Sequence, residues 1–578
     1  MNQIKQRAAQ ALKKKLDSLC PDHALGITDI AGMFEYPPDP KLGDLAFPCF
    51  KLAKVMRMAP PKIAASIADG LSVDGISKID VVGGYLNLFT DKLSMAAATV
   101  NTILEKKETY GANGEGVGKT VVLDYSSPNV AKPFHIGHLG TTIIGHSLKK
   151  LHEFCGYHCI GINHLGDWGT QFGKLIVAFR KWGSRDEIEE GGIDALVALY
   201  VRFHKEAEAD EALNDEARAA FTALEHHDEE CTALWKWFID ISLREYEKTY
   251  KQLGITFDSY NGESFYTDKM PAVVEEMRQK DLMVIDDGAS IVDLSDYNMP
   301  PCLILKRDGS TLYPTRDISA ALYRKNTYHF DKCIYVTSAG QSLHFAQWFK
   351  VLELMGYEWA KDQLIHVPYG TVSIDGEKLS TRSGNVVLLR DLFAQAIEKV
   401  AAIMEEKNPD LPGKDAIAES VGVGAIIFYY LSANRIRDIN FIMEDALSFE
   451  GNTGPYAQYT YARTCSILSK ASASGIGPID APVNTDGISL CDEENDLVKT
   501  LALFPDKVTQ ALHECEPSVI TRYILDVCAD FNRFYHNIQI LSCDDEATRT
   551  FRVKLTAAAN YVLASAFDLI CVGKNEKI

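Results

Sequence analysis

The sequence predicts an α/β protein of several domains: a parallel-sheet domain with a helical insertion, preceded by an α+β domain and followed by an all-α helical bundle. Three observations carry that prediction. Thr120 to Asn163 reads strand, loop, helix, strand, which is the pattern of a βαβ unit with a right-handed crossover. Residues near 174 to 255 hold long amphipathic periodicity, as in Ala195-Leu196-Leu199-Tyr200-Phe203 and Leu234-Trp237-Phe238-Ile241. From Asp415 onward the apolar spacing is nearly all helical. At 578 residues the chain is too long for one core. The divisions expected are an N-terminal domain over 1–112, the sheet domain over 113–445 with its insertion at about 174–255, and the bundle over 446–578.

The first nineteen residues read as a helix. Val81 to Phe89 alternates at its end like a strand, with Gly83 and Gly84 permitting a bulge or a close approach. Gly111 to Gly118 is a glycine-rich joint. Thr120 to Tyr125 is the first strand of the βαβ unit, and Leu139 to Phe154 is its helix, stopped by Gly156. Tyr157 to Asn163 is its second strand. Ligands of such sheets gather beyond the carboxyl ends of the strands, where both Asp124–His138 and Asn163–Gly173 fall. Sheet patterning returns at Ser290–Asp293, Cys302–Leu305, Lys332–Val336 and Leu364–Val367.

Composition is that of a globular protein, 46% hydrophobic and 24% charged, which argues against long disorder. No run of eighteen consecutive apolar residues occurs, so no membrane partner is expected. The basic N-terminus lacks an apolar core, and a cytoplasmic location is the expectation. The thirteen cysteines include no C-x-x-C pair, so neither a disulfide framework nor a zinc ribbon is suggested. His152, Cys155, His158 and Cys159 come nearest to a metal cluster, but a helix end running into a strand would point them apart; no metal site is expected. The net charge of −20 weighs against nucleic acid only globally, since binding needs one basic face. Lys5, Arg7 and Lys13–Lys15, or Lys51, Lys54, Arg57 and Lys62, could form one, although for each cluster taken alone a solvated helix face is the more common arrangement.

Three constellations carry chemistry. Pro128 to Gly140, PNVAKPFHIGHLG, sets His135 and His138 around Gly137 where a strand hands over to a helix. A helix start presents unpaired N–H groups and the positive end of the helix dipole, which suits phosphate. Glycine lets a bulky ligand approach, and two imidazoles can donate to phosphate oxygens. Taken alone, the histidines could simply cap a helix. Asn163 to Gly173, NHLGDWGTQFG, fits a polar ligand loop or an ordinary tight turn. Glu377 to Asn385, EKLSTRSGN, is a basic, hydroxylated loop that could fold over a triphosphate, with Lys378 and Arg382 offsetting charge on pyrophosphate, or could be a surface turn.

Together the three resemble the class I aminoacyl-tRNA synthetases. His135-Ile136-Gly137-His138 matches the first signature of that family letter for letter, and Lys378-Leu379-Ser380-Thr381-Arg382 resembles a divergent form of its KMSKS loop. The arginyl branch is the most similar, through SSPNVAKPFHIGHLG at 126–140, NHLGDWGTQFG at 163–173, LYPTRD at 312–317, FEGNTGPYAQYTYAR at 449–463 and FNRFYHN at 531–537. These segments span nearly the whole chain in the family's order.

The resemblance implies a Rossmann-like catalytic domain that activates arginine with ATP to an adenylate, then transfers it to the terminal ribose of tRNA(Arg), releasing AMP and pyrophosphate. It implies an arginine pocket of Asp124, Ser127, Pro128, Asn129, His138, Tyr313, Asp317 and Gln341. It further implies ATP binding by His135, Gly137 and His138, and pyrophosphate stabilisation by Lys378, Ser380 and Arg382. No enzyme nucleophile is required; alignment and charge stabilisation suffice. Mg²⁺ would arrive with ATP, and a monomer is the family expectation. A pocket built to hydrogen-bond arginine leaves groups unpaired against lysine or citrulline, so no editing site is called for. Thr381 stands where the family has its second lysine, and Lys132, three residues before His135, could replace that charge. For tRNA the resemblance points to Tyr456 and Tyr459 as base-stacking residues, with Phe531, Phe534 and Tyr535 expected in the core, and to Tyr85 and Asn87 as contacts of the N-terminal domain. Two other functions stay open on the residues alone: another nucleotidyltransferase of the same fold, or an inert tRNA-binding protein.

Overall fold

The structure, a computed structural model, describes residues 1–378, 387–476, 481–485 and 487–578. At its centre four parallel strands lie in the order Leu364–Tyr369, Lys332–Ser338, Thr120–Asp124, His158–Ile162. The strands are mainly apolar, with polar residues mostly towards their ends, because helices cover both faces. Val121, Val122, Leu123, Cys333 and Ile334 are completely buried. The helix Ile136–Phe154 crosses from the strand Thr120–Asp124 to the strand His158–Ile162. Two glycines let it lie close: a Cβ on Gly145 would come within 2.3 Å of Tyr125, and one on Gly140 within 2.3 Å of the Tyr430 hydroxyl. All four strands end at one rim, at Asp124, Ile162, Ser338 and Tyr369.

Four helices, Thr170–Trp182, Arg185–Ala209, Ala212–Glu225 and Glu229–Leu253, follow the strand His158–Ile162 and share a core of their own around Phe172, Phe203 and Phe238. The sheet patterning read at 290–293 and 302–305 belongs elsewhere. Ala289–Val292 and Cys302–Leu305 pair antiparallel with each other, and Val284–Asp286 with the first of them, as a separate three-stranded sheet. Asp287 and Gly288, both at positive φ, close the two-residue turn that makes this hairpin. Period alone cannot tell a hairpin strand from one of the central sheet.

The N-terminal domain is a three-stranded antiparallel sheet, Leu45–Pro48, Tyr85–Thr90, Ile76–Val82, packed under the helices Asn2–Leu19 and Pro60–Ala68. The single strand expected over 81–89 is therefore corrected. Val82 pairs with Tyr85 across a tight turn in which Gly83 takes φ +61°, a conformation open to glycine. At the other end, five helices between Gly454 and Leu569 form the bundle. The helix Lys414–Ser432 is long and apolar enough to cross a membrane by length and composition, although it holds no unbroken apolar run of eighteen residues; most of it is buried inside the fold. A short parallel pairing of Ile439–Phe441 with Val372–Ile374 interrupts the helical stretch after Asp415.

Candidate active site

The loop after the strand Thr120–Asp124 is held in an uncommon shape. Ser126, Ser127 and Ala131 all adopt left-handed backbone, with φ of 71°, 49° and 59°. Such residues cost on the order of 1–3 kcal/mol each and persist only where surroundings fix them. Here the inserted helix Glu229–Leu253 supplies much of the fixing. Tyr246 donates its hydroxyl to the carbonyls of Asn129 and Lys132 at 2.7 Å each, and the Ser242 hydroxyl accepts the Ala131 N–H at 3.0 Å. Tyr250 and Asn163 complete a buried network, with the Tyr250 hydroxyl 2.8 Å from Ser126 Oγ and 2.9 Å from Asn163 Nδ2.

His135 is the N-cap of the next helix. Its Nδ1 accepts the Gly137 N–H at 3.1 Å, and His138 Nδ1 accepts the His135 N–H at 3.2 Å. The capping reading and the phosphate reading are thus both satisfied by one arrangement. Because each Nδ1 is an acceptor, the hydrogen-bond pattern assigns the proton of each neutral ring to Nε2, leaving that edge free to donate. The rings sit 3.9 Å apart, and His138 stacks on Phe134 with planes 2° apart. Burial, then His135 and Lys132, push the His138 imidazole down to about 3; burial and Lys132 lower His135 as well. Both are neutral donors at pH 7.

At the sheet rim lies a cavity of about 530 Å³. Of the residues implied for arginine, Asp124, Ser127, Asn129, His138, Tyr313, Asp317 and Gln341 line it, together with Gly137. Pro128 does not: it is buried behind the wall, its carbonyl accepting the Gly166 N–H at 3.1 Å. His135 stands beside the cavity, touching it through His138. Tyr313 opens the helix Tyr313–Tyr328 and is 64% exposed, and Asp317, one turn on, shares its face.

Charges in this cavity come mostly in pairs that sequence alone did not reveal. Asp317 Oδ2 is 2.6 Å from His344 Nε2. Glu263, from the turn Glu263–Tyr266, meets Arg316 at 2.7 Å. Burial raises the Glu263 carboxyl to about 7, against the pull of Arg316 and with added repulsion from Asp167 and Asp317. Asp124, read as an acid awaiting a guanidinium, already holds one: the Arg324 Nη2 lies 2.7 Å away. Glu263, Arg316, Arg324 and His344 were missed because their partners lie between 27 and 200 residues distant. Only the adjacency of Arg316 to Asp317 in LYPTRD hinted at them.

Ser380 and Arg382 lie outside the described residues, and Lys378 is described only as the backbone end of the short strand Glu377–Lys378. Lys132 is exposed, close enough to act on both imidazoles. In the bundle Tyr459 is 46% exposed and Tyr456 half-buried, its hydroxyl accepting from Asn532 at 2.9 Å. Phe531 and Phe534 are fully buried as expected, but Tyr535 is 38% exposed and is corrected from core to surface. Its ring and that of Tyr459 flank the Arg463 guanidinium at 4.6 and 5.1 Å. In the N-terminal domain Tyr85 is half-buried against Phe50, while Asn87, on the middle strand, is 3% exposed; its side chain lies inside the domain, and the expectation of Asn87 as a surface contact is corrected.

Comparison with known proteins adds to this geometry. Residues 99–443 match the family described as tRNA synthetases class I (R), catalytic domain. Residues 2–90 match the arginyl tRNA synthetase N terminal domain, and 457–578 the DALR anticodon binding domain. An arginine–tRNA ligase of Alkaliphilus metalliredigens is 48% identical over 579 residues, covering both chains completely. One from Clostridium beijerinckii is 48% identical over 99% of this chain and its own full length. Among solved structures, the Thermus thermophilus arginyl-tRNA synthetase superposes with a TM-score of 0.82 over all of both chains at 24% identity. The enzyme of Plasmodium falciparum gives 0.82 over 100% of this chain and 99% of its own, at 23%. Those two similarities speak for the fold.

Proposed function

The chain belongs to the class I arginyl-tRNA synthetases, and from that premise we propose how its residues divide the family's reaction, in which arginine is activated with ATP and then joined to tRNA. The observation that carries the proposal is one cavity with two chemically distinct ends. At one end stand Gly137 and His138, with His135 beside them, at the start of a helix; at the other stand Tyr313, Asp317 and Gln341.

In this reading the triphosphate lies along the start of the helix Ile136–Phe154. The two Nε2–H groups donate to oxygens of the α-phosphate as the arginine carboxylate attacks it. Neutral imidazoles suit the task, because they donate without carrying a proton that must be returned. Lys132 adds a positive charge, and Lys378, Ser380 and Arg382 act on the outgoing pyrophosphate. Ser127, Asn129 and Gln341 hold polar atoms of the amino acid. Asp317 receives the guanidinium, the Tyr313 ring covers it, and Glu263, in its ionised form, adds attraction; this meets the planar fork with carboxylates. Pro128 acts by shaping the wall.

Mg²⁺ enters as part of the ATP substrate. Tyr456 and Tyr459 offer stacking faces to anticodon bases, and Tyr85 offers a contact at the tRNA elbow, with Asn87 beneath it. The protein acts as a cytoplasmic monomer with domains over 1–112, 113–445 and 446–578. ATP–pyrophosphate exchange, run with each standard amino acid and with or without tRNA, tests the core of the proposal. Exchange that depends on arginine and tRNA is expected. Exchange without any amino acid preference would overturn the specificity assigned to Asp317, and exchange with none would overturn the catalytic roles.

A further inference from the structure

We propose that Arg324 is a positioning residue for arginine recognition: it clamps the Asp124 carboxylate, and with it the helix that carries Tyr313 and Asp317, in the arrangement the substrate side chain meets. The proposal rests on reading this cavity as the arginine site.

The clamp is built from both sides. The Arg324 side chain is 1% exposed, and its Nη2 donates to Asp124 Oδ2 at 2.7 Å. The other oxygen, Oδ1, accepts the Ser127 hydroxyl at 2.9 Å. A carboxylate offers about four lone-pair positions, so one donor per oxygen fixes its plane and leaves room for further donors. Asp124, Ser127 and Arg324 all line the cavity. The Ser127 hydroxyl also accepts the His164 N–H at 3.2 Å, which ties the loop of the neighbouring strand into the same cluster.

The helix Tyr313–Tyr328 turns this local clamp into a positioning device. Its residues on the cavity wall are Tyr313, Asp317, Ala320 and Arg324, spaced four, three and four apart along one face. Arg324 anchors the deep end of that stripe to the end of the central strand. The depth and rotation of Asp317 follow, because the two residues share one rigid helix.

Stability alone does not account for the pair. A buried ion pair is often no better than two apolar side chains of similar size, because desolvation offsets the attraction. This one is also incompletely satisfied: among the described residues neither Nε nor Nη1 of Arg324 has a hydrogen-bond partner, and neither does the hydroxyl of Tyr335, whose ring centroid lies 5.4 Å from the guanidinium. Natural interiors rarely leave such groups unpaired without a use for them.

Steady-state exchange with saturating tRNA tests this in the full-length protein. For Arg324→Met, arginine KM is expected to rise by roughly 10- to 100-fold, the scale of a sub-ångström misplacement, while ATP KM stays within about twofold. Asp124→Asn should give a similar rise, and the double variant no more than either single, since one clamp is broken in all three. Arg324→Lys keeps the charge without the planar fork and should recover part of the affinity. KM values for arginine and ATP rising together, or additive effects in the double variant, would show a merely structural pair and overturn the proposal. Should Arg324→Met fail to fold, Arg324→Lys decides: a KM for arginine equal to the parent's refutes the clamp. A parent protein without arginine-dependent exchange would instead refute the pocket reading itself.

Discussion

Replacing Gly137 with alanine separates catalysis from stability. A Cβ at this position would lie 2.8 Å from Cε1 and 2.9 Å from Nδ1 of His135. Ordinary contact begins near 3.4 Å, so the ring must retreat by about 0.6 Å or rotate away. Either movement breaks the 3.1 Å bond from the Gly137 N–H and disturbs the 3.9 Å packing of the two imidazoles. That hydrogen bond is worth about 1 kcal/mol, and alanine in place of glycine in a helix returns about 0.5–1 kcal/mol. Stability therefore stays nearly level, and the melting temperature should move by no more than about 3 °C. Activity should not stay level. A displacement of this size at a phosphate-facing donor costs roughly 10- to 100-fold in rate. Pyrophosphate exchange at saturating arginine, ATP and tRNA, set beside a thermal melt, measures both. A Gly137→Ala protein with exchange within threefold of the parent would refute the role given to the His135 ring, and a melt lowered by about 10 °C would show that the helix start was disrupted instead.

Further outcomes follow from the same geometry. Asp317→Asn removes a charged acceptor worth about 1.5–3 kcal/mol, so arginine KM in exchange should rise about 10- to 150-fold with little change for ATP. The Glu263 carboxyl, raised by burial to about 7, is protonated below that pH and charged above it; arginine KM should fall as pH rises through 7, and Glu263→Gln should flatten the profile. The same shift makes Glu263 a source of folding stability that is fully present below the ordinary carboxyl range and lost as pH rises through 7, measurable as a small rise in melting temperature of Glu263→Gln at pH 8. Tyr459→Ala, at a ring 46% exposed, should leave the fold intact and raise tRNA KM in aminoacylation by about 5- to 150-fold, the cost of one lost base stack. Lys132→Ala should damage adenylate formation far more than Lys378→Ala if Lys132 replaces the charge absent at Thr381; equal, mild losses would reject that substitution of roles.

What the chain settled by itself is short-range. The strand-to-helix junction at Asp124–His138, the capping pair His135 and His138, and the shared face of Tyr313 and Asp317 all follow from spacings of three or four residues, and such spacings fix geometry wherever a helix forms. Spacing alone reached only as far as nucleotide binding; the resemblance of the motifs to the class I arginyl family is what pointed to the reaction. Tertiary packing decided the rest. Gly83-Gly84 could have been a bulge; pairing of Val82 with Tyr85 made it a turn. Asn87 and Tyr535 exchanged expectations, one inward and one outward, because periodicity says which residues share a face but not what will cover it. Asp124 shows the limit most clearly. Its charge and its place at the sheet rim were legible, yet Arg324, two hundred residues later, answers it, and only the fold brings a carboxylate and a counter-ion so distant in sequence to 2.7 Å.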